Sequence, residues 1–199
     1  MGEVRHSVIF LRGLGDNRPM TRGQAFLTKL WHRLHGIELV FVRINWADQE
    51  TLKSKLARIT AAIDKLHSAG QTVSLIGISA GASAAFNAYG LRSTKINKLV
   101  FVCGKFRNPH RVGRRYYRKN PALRESLELS DQNYTKLTVA DKAKILSIRP
   151  VFDELVPLQE MKVPGARSTT ILATGHVPSI FLALTIYSWL PAGFIKSVE

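Results

Sequence analysis

The chain has 199 residues, 45% of them hydrophobic, 9% aromatic and 22% charged. That balance fits one globular domain over residues 1–199 and excludes disorder, collagen-like repeats and coiled coils. Charge is the outlier, because 29 Lys and Arg against 14 Asp and Glu leave a formal +15, which concentrates anions around the protein and raises acidic substrates, anionic membrane surfaces and nucleic acid as partners.

In chain order, short β-branched runs read as strands at residues 7–11, 37–44, 72–78, 99–102, 145–148 and 169–173. Their near-continuous apolarity marks parallel strands covered on both faces. Between them, residues 24–34 place Ala25, Leu27, Leu30, Trp31 and Leu34 at helical spacing, and residues 49–66 do the same with Leu52, Leu56, Ile59, Ile63 and Leu66. Alternating strands and helices predict an α/β domain with a doubly wound, mostly parallel six-stranded sheet and helices on both faces. The apolar stretch 180–190, ending at Pro191, reads as a buried terminal helix and is too short for the ~20 residues of a membrane span. The single cysteine, Cys103, lies in an apolar run and reads as a small buried hydrophobe, and residues 1–15 lack a signal-peptide core, so a cytoplasmic protein is expected.

Ligands in such sheets bind beyond the carboxyl ends of the strands, which directs attention to the loops there. After the third strand comes Gly77-Ile78-Ser79-Ala80-Gly81, followed by the helix-forming stretch 82–89. This is G-x-S-x-G in the strand, turn and helix setting of a nucleophile elbow, where a tight turn holds the serine and its flanking glycines must be nearly free of side chain. A serine hydroxyl is a poor nucleophile until a base takes its proton, and the base needs an acid to fix its tautomer. The last strand runs into Gly175-His176, which makes His176 the candidate base. The fifth runs into a loop containing Asp153, the candidate acid, with Glu154 a weaker one. The other histidines fall on helices (His32, His35, His67), before the first strand (His6) or in a basic loop (His110).

Taken in order, Leu11-Arg12-Gly13-Leu14-Gly15-Asp16, the elbow at Ser79, Asp153-Glu154-Leu155-Val156-Pro157 and Gly175-His176 resemble the signature loops of the α/β-hydrolase superfamily. The first and third loops are most similar to those of carboxylesterases and acyl-protein thioesterases. The resemblance implies a serine esterase or thioesterase working through an acyl-enzyme, with Ser79, Asp153 and His176 as triad, the N–H groups of Leu14 and Ala80 as oxyanion donors, and no cofactor or metal. Two departures stand out. Arg12 replaces the family's usual histidine, and the strands begin at the third of the full fold, so a minimal six-stranded sheet is expected.

The fold commonly carries a lid after its fourth strand, here residues 105–144. Between Lys105 and Arg124 lie eight Lys or Arg and no carboxylate. With Arg12, the residues Arg114, Arg115, Tyr116 and Tyr117 are the candidate substrate contacts, for an anionic substrate or a lipid head group at a membrane surface. A solvated basic lid explains the same run. Nucleic acid is not expected, since no recognised binding module accompanies the charge. The alternative to an esterase is a catalytically idle scaffold that holds an anionic ligand or partner through this basic segment.

Overall fold

The computed structural model describes residues 5–16 and 22–197. Six strands, β1 (His6–Leu11), β2 (Ile37–Val42), β3 (Thr72–Ile78), β4 (Ile96–Val102), β5 (Ile145–Phe152) and β6 (Arg167–Thr174), form one sheet in the order β2-β1-β3-β4-β5-β6. Every neighbouring pair is parallel.

Side chains alternate across a strand, so continuous apolarity feeds two separate cores. Ile9, Leu11 and Leu75 join one with the helices α2 (Leu52–Ser68), α3 (Gly81–Arg92) and α5 (Pro121–Tyr134). Val8, Phe10 and Ile76 join the other with α1 (Arg22–His35), α7 (His176–Leu184) and α8 (Trp189–Lys196). Each fully buried side chain of this kind stabilises the fold by about 1.5–3 kcal/mol. Local signals agree with the packing. The Thr51 side chain caps α2 by accepting from the Ser54 N–H at 3.2 Å, and Trp31 donates its indole N–H to the Leu184 carbonyl at 2.9 Å, pinning α1 to α7.

Four details differ from the sequence reading. The apolar stretch 180–190 is not one helix, because α7 stops at Leu184 and α8 starts at Trp189 after a 54° bend. Pro191 sits in the first turn of α8, where its missing N–H costs nothing. Among the described residues no single helix is long and apolar enough to cross a membrane. β4 begins at Ile96 rather than Leu99, with Lys98 buried and its ammonium 5.3 Å from the centre of the Phe194 ring. β5 runs on to Phe152 because β6 pairs with it beyond the end of its pairing with β4. β6 is an edge strand with a half-exposed pattern.

The segment 105–144 is mixed. Its first part carries a 3-10 turn at Pro109–Arg111 and α4 (Arg114–Lys119). Its second part belongs to the helical layer. α5 buries Ala122, Leu123 and Leu127, and the buried side chains of Ser83 and Asn87 on α3 bond to Ser126 and Ser130 on α5. The short α6 (Val139–Ala143), with a Thr138–Asp141 capping box, leads into β5.

Chain direction across the sheet reverses beside β1, since β2 flanks it on one side and β3 on the other. The carboxyl ends of β1 and β3 therefore open a crevice at a topological switch point, where open α/β sheets bind ligands.

Candidate active site

Ser79 stands at that crevice with φ of 49°, a left-handed conformation that a serine adopts only when its surroundings compel it. Its backbone is tied on both sides, donating to the Val102 carbonyl at 3.1 Å and accepting from the Lys105 N–H at 2.9 Å. The flanking glycines answer to space. A Cβ on Gly77 would lie 2.6 Å from the Ala82 Cα, and one on Gly81 would lie 2.3 Å from the Leu11 carbonyl oxygen. Gly13 in the facing loop passes equally close, its would-be Cβ falling 2.7 Å from the Ser79 Cβ.

His176 opens α7 after Gly175, whose φ of 83° turns the chain out of β6. Its Nε2 lies 2.9 Å from Ser79 Oγ and its Nδ1 lies 2.7 Å from Asp153 Oδ2. The other oxygen of Asp153 accepts from the N–H groups of Leu155 and Val156, both at 2.9 Å. Burial alone would raise the Asp153 pKa, but the bonds from His176 and from these two N–H groups outweigh it and hold the carboxyl below its usual range. An ionised Asp153 fixes the ring proton on Nδ1 and leaves Nε2 to accept from the serine hydroxyl. Glu154 has a different place, since its Oε2 accepts from the backbone N–H of His176 at 2.9 Å. That puts a negative charge at the amino end of α7, where the helix dipole favours it. The three residues expected as triad thus meet in space, and the weaker acid supports the histidine backbone instead of its ring.

The loop after β1 is braced from below. Asp16 is buried and accepts from the Ile44 N–H at 2.6 Å and the Asn45 N–H at 3.2 Å, tying the loop to the end of β2. Burial raises its pKa in spite of those bonds and of the nearby Arg12 and Arg43. Arg12 lies 3.3 Å from Asp16 and donates to the Gly15 carbonyl at 3.1 Å. The residue that departs from the family pattern is therefore a clamp on this loop. Neither the Leu14 N–H nor the Ala80 N–H bonds to a protein group among the described residues.

A cavity of about 610 Å³, counted with its open mouth, lies against Ser79 and Ala80. Its wall is mainly apolar, with Leu14, Val112, Leu123 and Leu155 among the lining residues. Of the five residues expected to contact substrate, Tyr116 lines it. Arg114 and Arg115 are not among its lining residues, because α4 presents them to solvent. Tyr117 spends its hydroxyl on the Pro109 carbonyl. Arg12 lines a separate apolar cavity between α1 and α7.

The cations on the Ser79 cavity are two others of the same basic run, not singled out as substrate contacts in the sequence. Lys105 and Arg111 both line it, and both pair with Glu160, which is only 4% exposed. Burial lowers the Lys105 pKa, opposed by its bond to Glu160. The sole signal in the sequence was the position of Lys105 three residues past β4, at a strand's carboxyl end; nothing marked Glu160, 55 residues further on, as its partner.

Comparisons with known proteins follow the same lines. The sequence matches no family model and no curated protein. The structure is similar to those of LipS and LipT, two metagenome-derived lipolytic enzymes (TM-score 0.68, 17% identity, 97% of this chain and 94% of the other). It is similar to Est1E from Butyrivibrio proteoclasticus (TM-score 0.68, 13% identity, 98% and 90%). It is also similar to dienelactone hydrolase from Anabaena variabilis (TM-score 0.62, 17% identity, 96% and 85%). The all-parallel sheet with helices on both faces is that of the α/β-hydrolase fold. Within that fold this chain is the minimal six-stranded form.

Proposed function

We propose that the protein is a serine hydrolase that cleaves carboxylic esters or thioesters through an acyl-enzyme. The observation that carries the reading is the continuous hydrogen-bonded chain from Ser79 Oγ through His176 to the ionised Asp153. Structural neighbours that are lipolytic enzymes, esterases and a dienelactone hydrolase support it. So does the unshared N–H pair of Leu14 and Ala80 beside the serine.

In the first half-reaction Ser79 Oγ attacks the ester carbonyl while His176 Nε2 takes the hydroxyl proton, and Asp153 stabilises the imidazolium. The carbonyl oxygen gathers negative charge and is held by the Leu14 and Ala80 N–H groups, each worth about 3–4 kcal/mol in such sites. His176 returns the proton to the departing alcohol or thiol. In the second half, water gives a proton to the same nitrogen and attacks the acyl-serine, and His176 passes that proton to Ser79 Oγ as its bond to the acyl carbon breaks, releasing the acid and restoring the serine.

The test is labelling with a fluorophosphonate, which reacts with activated serines. Wild-type protein is expected to label and to hydrolyse 4-nitrophenyl hexanoate, and Ser79→Ala to do neither. A folded wild-type protein that takes no label and turns over no ester would overturn the reading.

A further inference from the structure

The basic segment reduces to one unspent cation at the site. Lys105 is bonded to Glu160 Oε2 and also donates to the Asn108 carbonyl at 3.1 Å. Arg107 donates to Asp131 at 3.1 Å and stacks 3.5 Å over the Tyr134 ring. Arg111 differs, because its Nε lies 3.3 Å from Glu160 Oε1 without the alignment of a hydrogen bond. Its two terminal nitrogens make no hydrogen bond among the described residues. The guanidinium is thus paired in charge with Glu160 but free to donate, on a cavity that Ser79 also lines.

The loop that carries Arg111 is fixed before any ligand arrives. Asn108 has φ of 59°, and its N–H donates to Asp131 at 3.3 Å while its carbonyl accepts from Lys105. The Arg111 side chain extends from that fixed loop and is 60% exposed, and its guanidinium offers two parallel N–H groups, the geometry that matches a carboxylate bidentately. Lys105, Arg111 and Glu160 together carry one net positive charge, which balances a monoanion and leaves a dianionic phosphate half unpaired. The apolar residues that line the same cavity as Arg111 and Ser79, Leu14, Val112, Leu123 and Leu155 among them, suit a short hydrocarbon stretch.

We propose that Arg111 is the specificity-determining residue of this site and selects esters that carry a carboxylate a short apolar distance from the scissile bond. This rests on the hydrolase reading above. Lys105 and Glu160 are its positioning residues.

The experiment compares kcat/KM for two matched pairs. Mono-4-nitrophenyl adipate against 4-nitrophenyl hexanoate places the carboxylate on the acyl side. 4-Carboxyphenyl hexanoate against phenyl hexanoate places it on the alcohol side. Wild type is expected to favour the carboxylate member of at least one pair by about tenfold or more, as a charge-assisted pair allows. That preference falls about tenfold in Arg111→Met and returns in part in Arg111→Lys. Arg118→Met, an exposed cation off the cavity, keeps the wild-type preference. A wild type that hydrolyses the neutral esters without favouring either carboxylate, or a preference that survives Arg111→Met, overturns the role of Arg111 and leaves the hydrolase intact. Failure of wild type on all the esters, with no fluorophosphonate labelling, overturns both.

Discussion

Replacing Asp153 by Asn tests the relay at its most constrained point. Oδ1 of Asp153 accepts two backbone N–H groups at 2.9 Å. An asparagine that turned its NH2 toward them would set donor against donor and lose both bonds, at about 0.5–1.5 kcal/mol each. The amide oxygen therefore stays there, and the NH2 takes the place of Oδ2, 2.7 Å from His176 Nδ1. Nδ1 must then accept, so the ring proton moves to Nε2, where it faces Ser79 Oγ at 2.9 Å and blocks removal of the hydroxyl proton. A wrong tautomer of this kind lowers kcat by about 10⁴-fold, which is about 5.4 kcal/mol of barrier. Steady-state hydrolysis of 4-nitrophenyl hexanoate reads the rate, and a melting curve shows whether the fold is kept. The two backbone bonds survive in Asp153→Asn, so its melting temperature stays near wild type, whereas Asp153→Ala loses both rate and stability. A folded Asp153→Asn enzyme within about tenfold of the wild-type kcat would refute the tautomer reasoning.

Four further outcomes are expected. Gly81→Ala drives a methyl against the Leu11 carbonyl, backbone on backbone, and is expected to cost several kcal/mol in thermal or urea unfolding; Gly193→Ala, in the middle of α8 with nothing near its would-be Cβ, is expected to stabilise by about 0.5–1 kcal/mol in the same assay. Burial first, then the charges of Asp153 and Glu154, push the Cys103 thiol up to about 12. An unfolded thiol ionises near pH ~8.5, so the folded state loses stability relative to the unfolded one as pH climbs from there toward the folded value. Cys103→Ala is expected to flatten that alkaline decline in urea titrations, and the native thiol to resist iodoacetamide at pH ~8.5 until the chain is unfolded.

The strands and the triad were legible because each obeys a local rule. Val8 to Leu11 is apolar throughout because both faces are covered, and Ser79, Asp153 and His176 each stand just past the carboxyl end of a strand. The break between α7 and α8 was hidden because Thr185 to Ser188 sits inside an apolar stretch whose composition is the same on both sides of the bend. β6 was visible from Thr169, but its first residues, Arg167 and Ser168, are polar because an edge strand needs little cover. The substrate contacts were the least legible. A cation beside a basic run looks the same whether it is spent on a distant carboxylate, like Arg107 on Asp131, or left with one edge open, like Arg111. Only the fold decides which acids come within reach.

The polar seam between α3 and α5 has a consequence for how this enzyme can change. Ser83 and Asn87 are fully buried, and their partners Ser126 and Ser130 are buried with them. Sliding α5 by one turn, about 5.4 Å, would strand several of these groups without partners, at about 1–3 kcal/mol apiece. The helix that follows Ser79 is thereby locked in register with its neighbour, and Phe106, fully buried against Phe86 and Phe101, anchors the start of the segment 105–120, whereas Arg111 and Gly113 meet the cavity from exposed positions. Substitutions at those exposed positions can reshape the cavity wall while the bonds that seat Ser79, from its N–H to Val102 and from the Lys105 N–H to its carbonyl, stay in place.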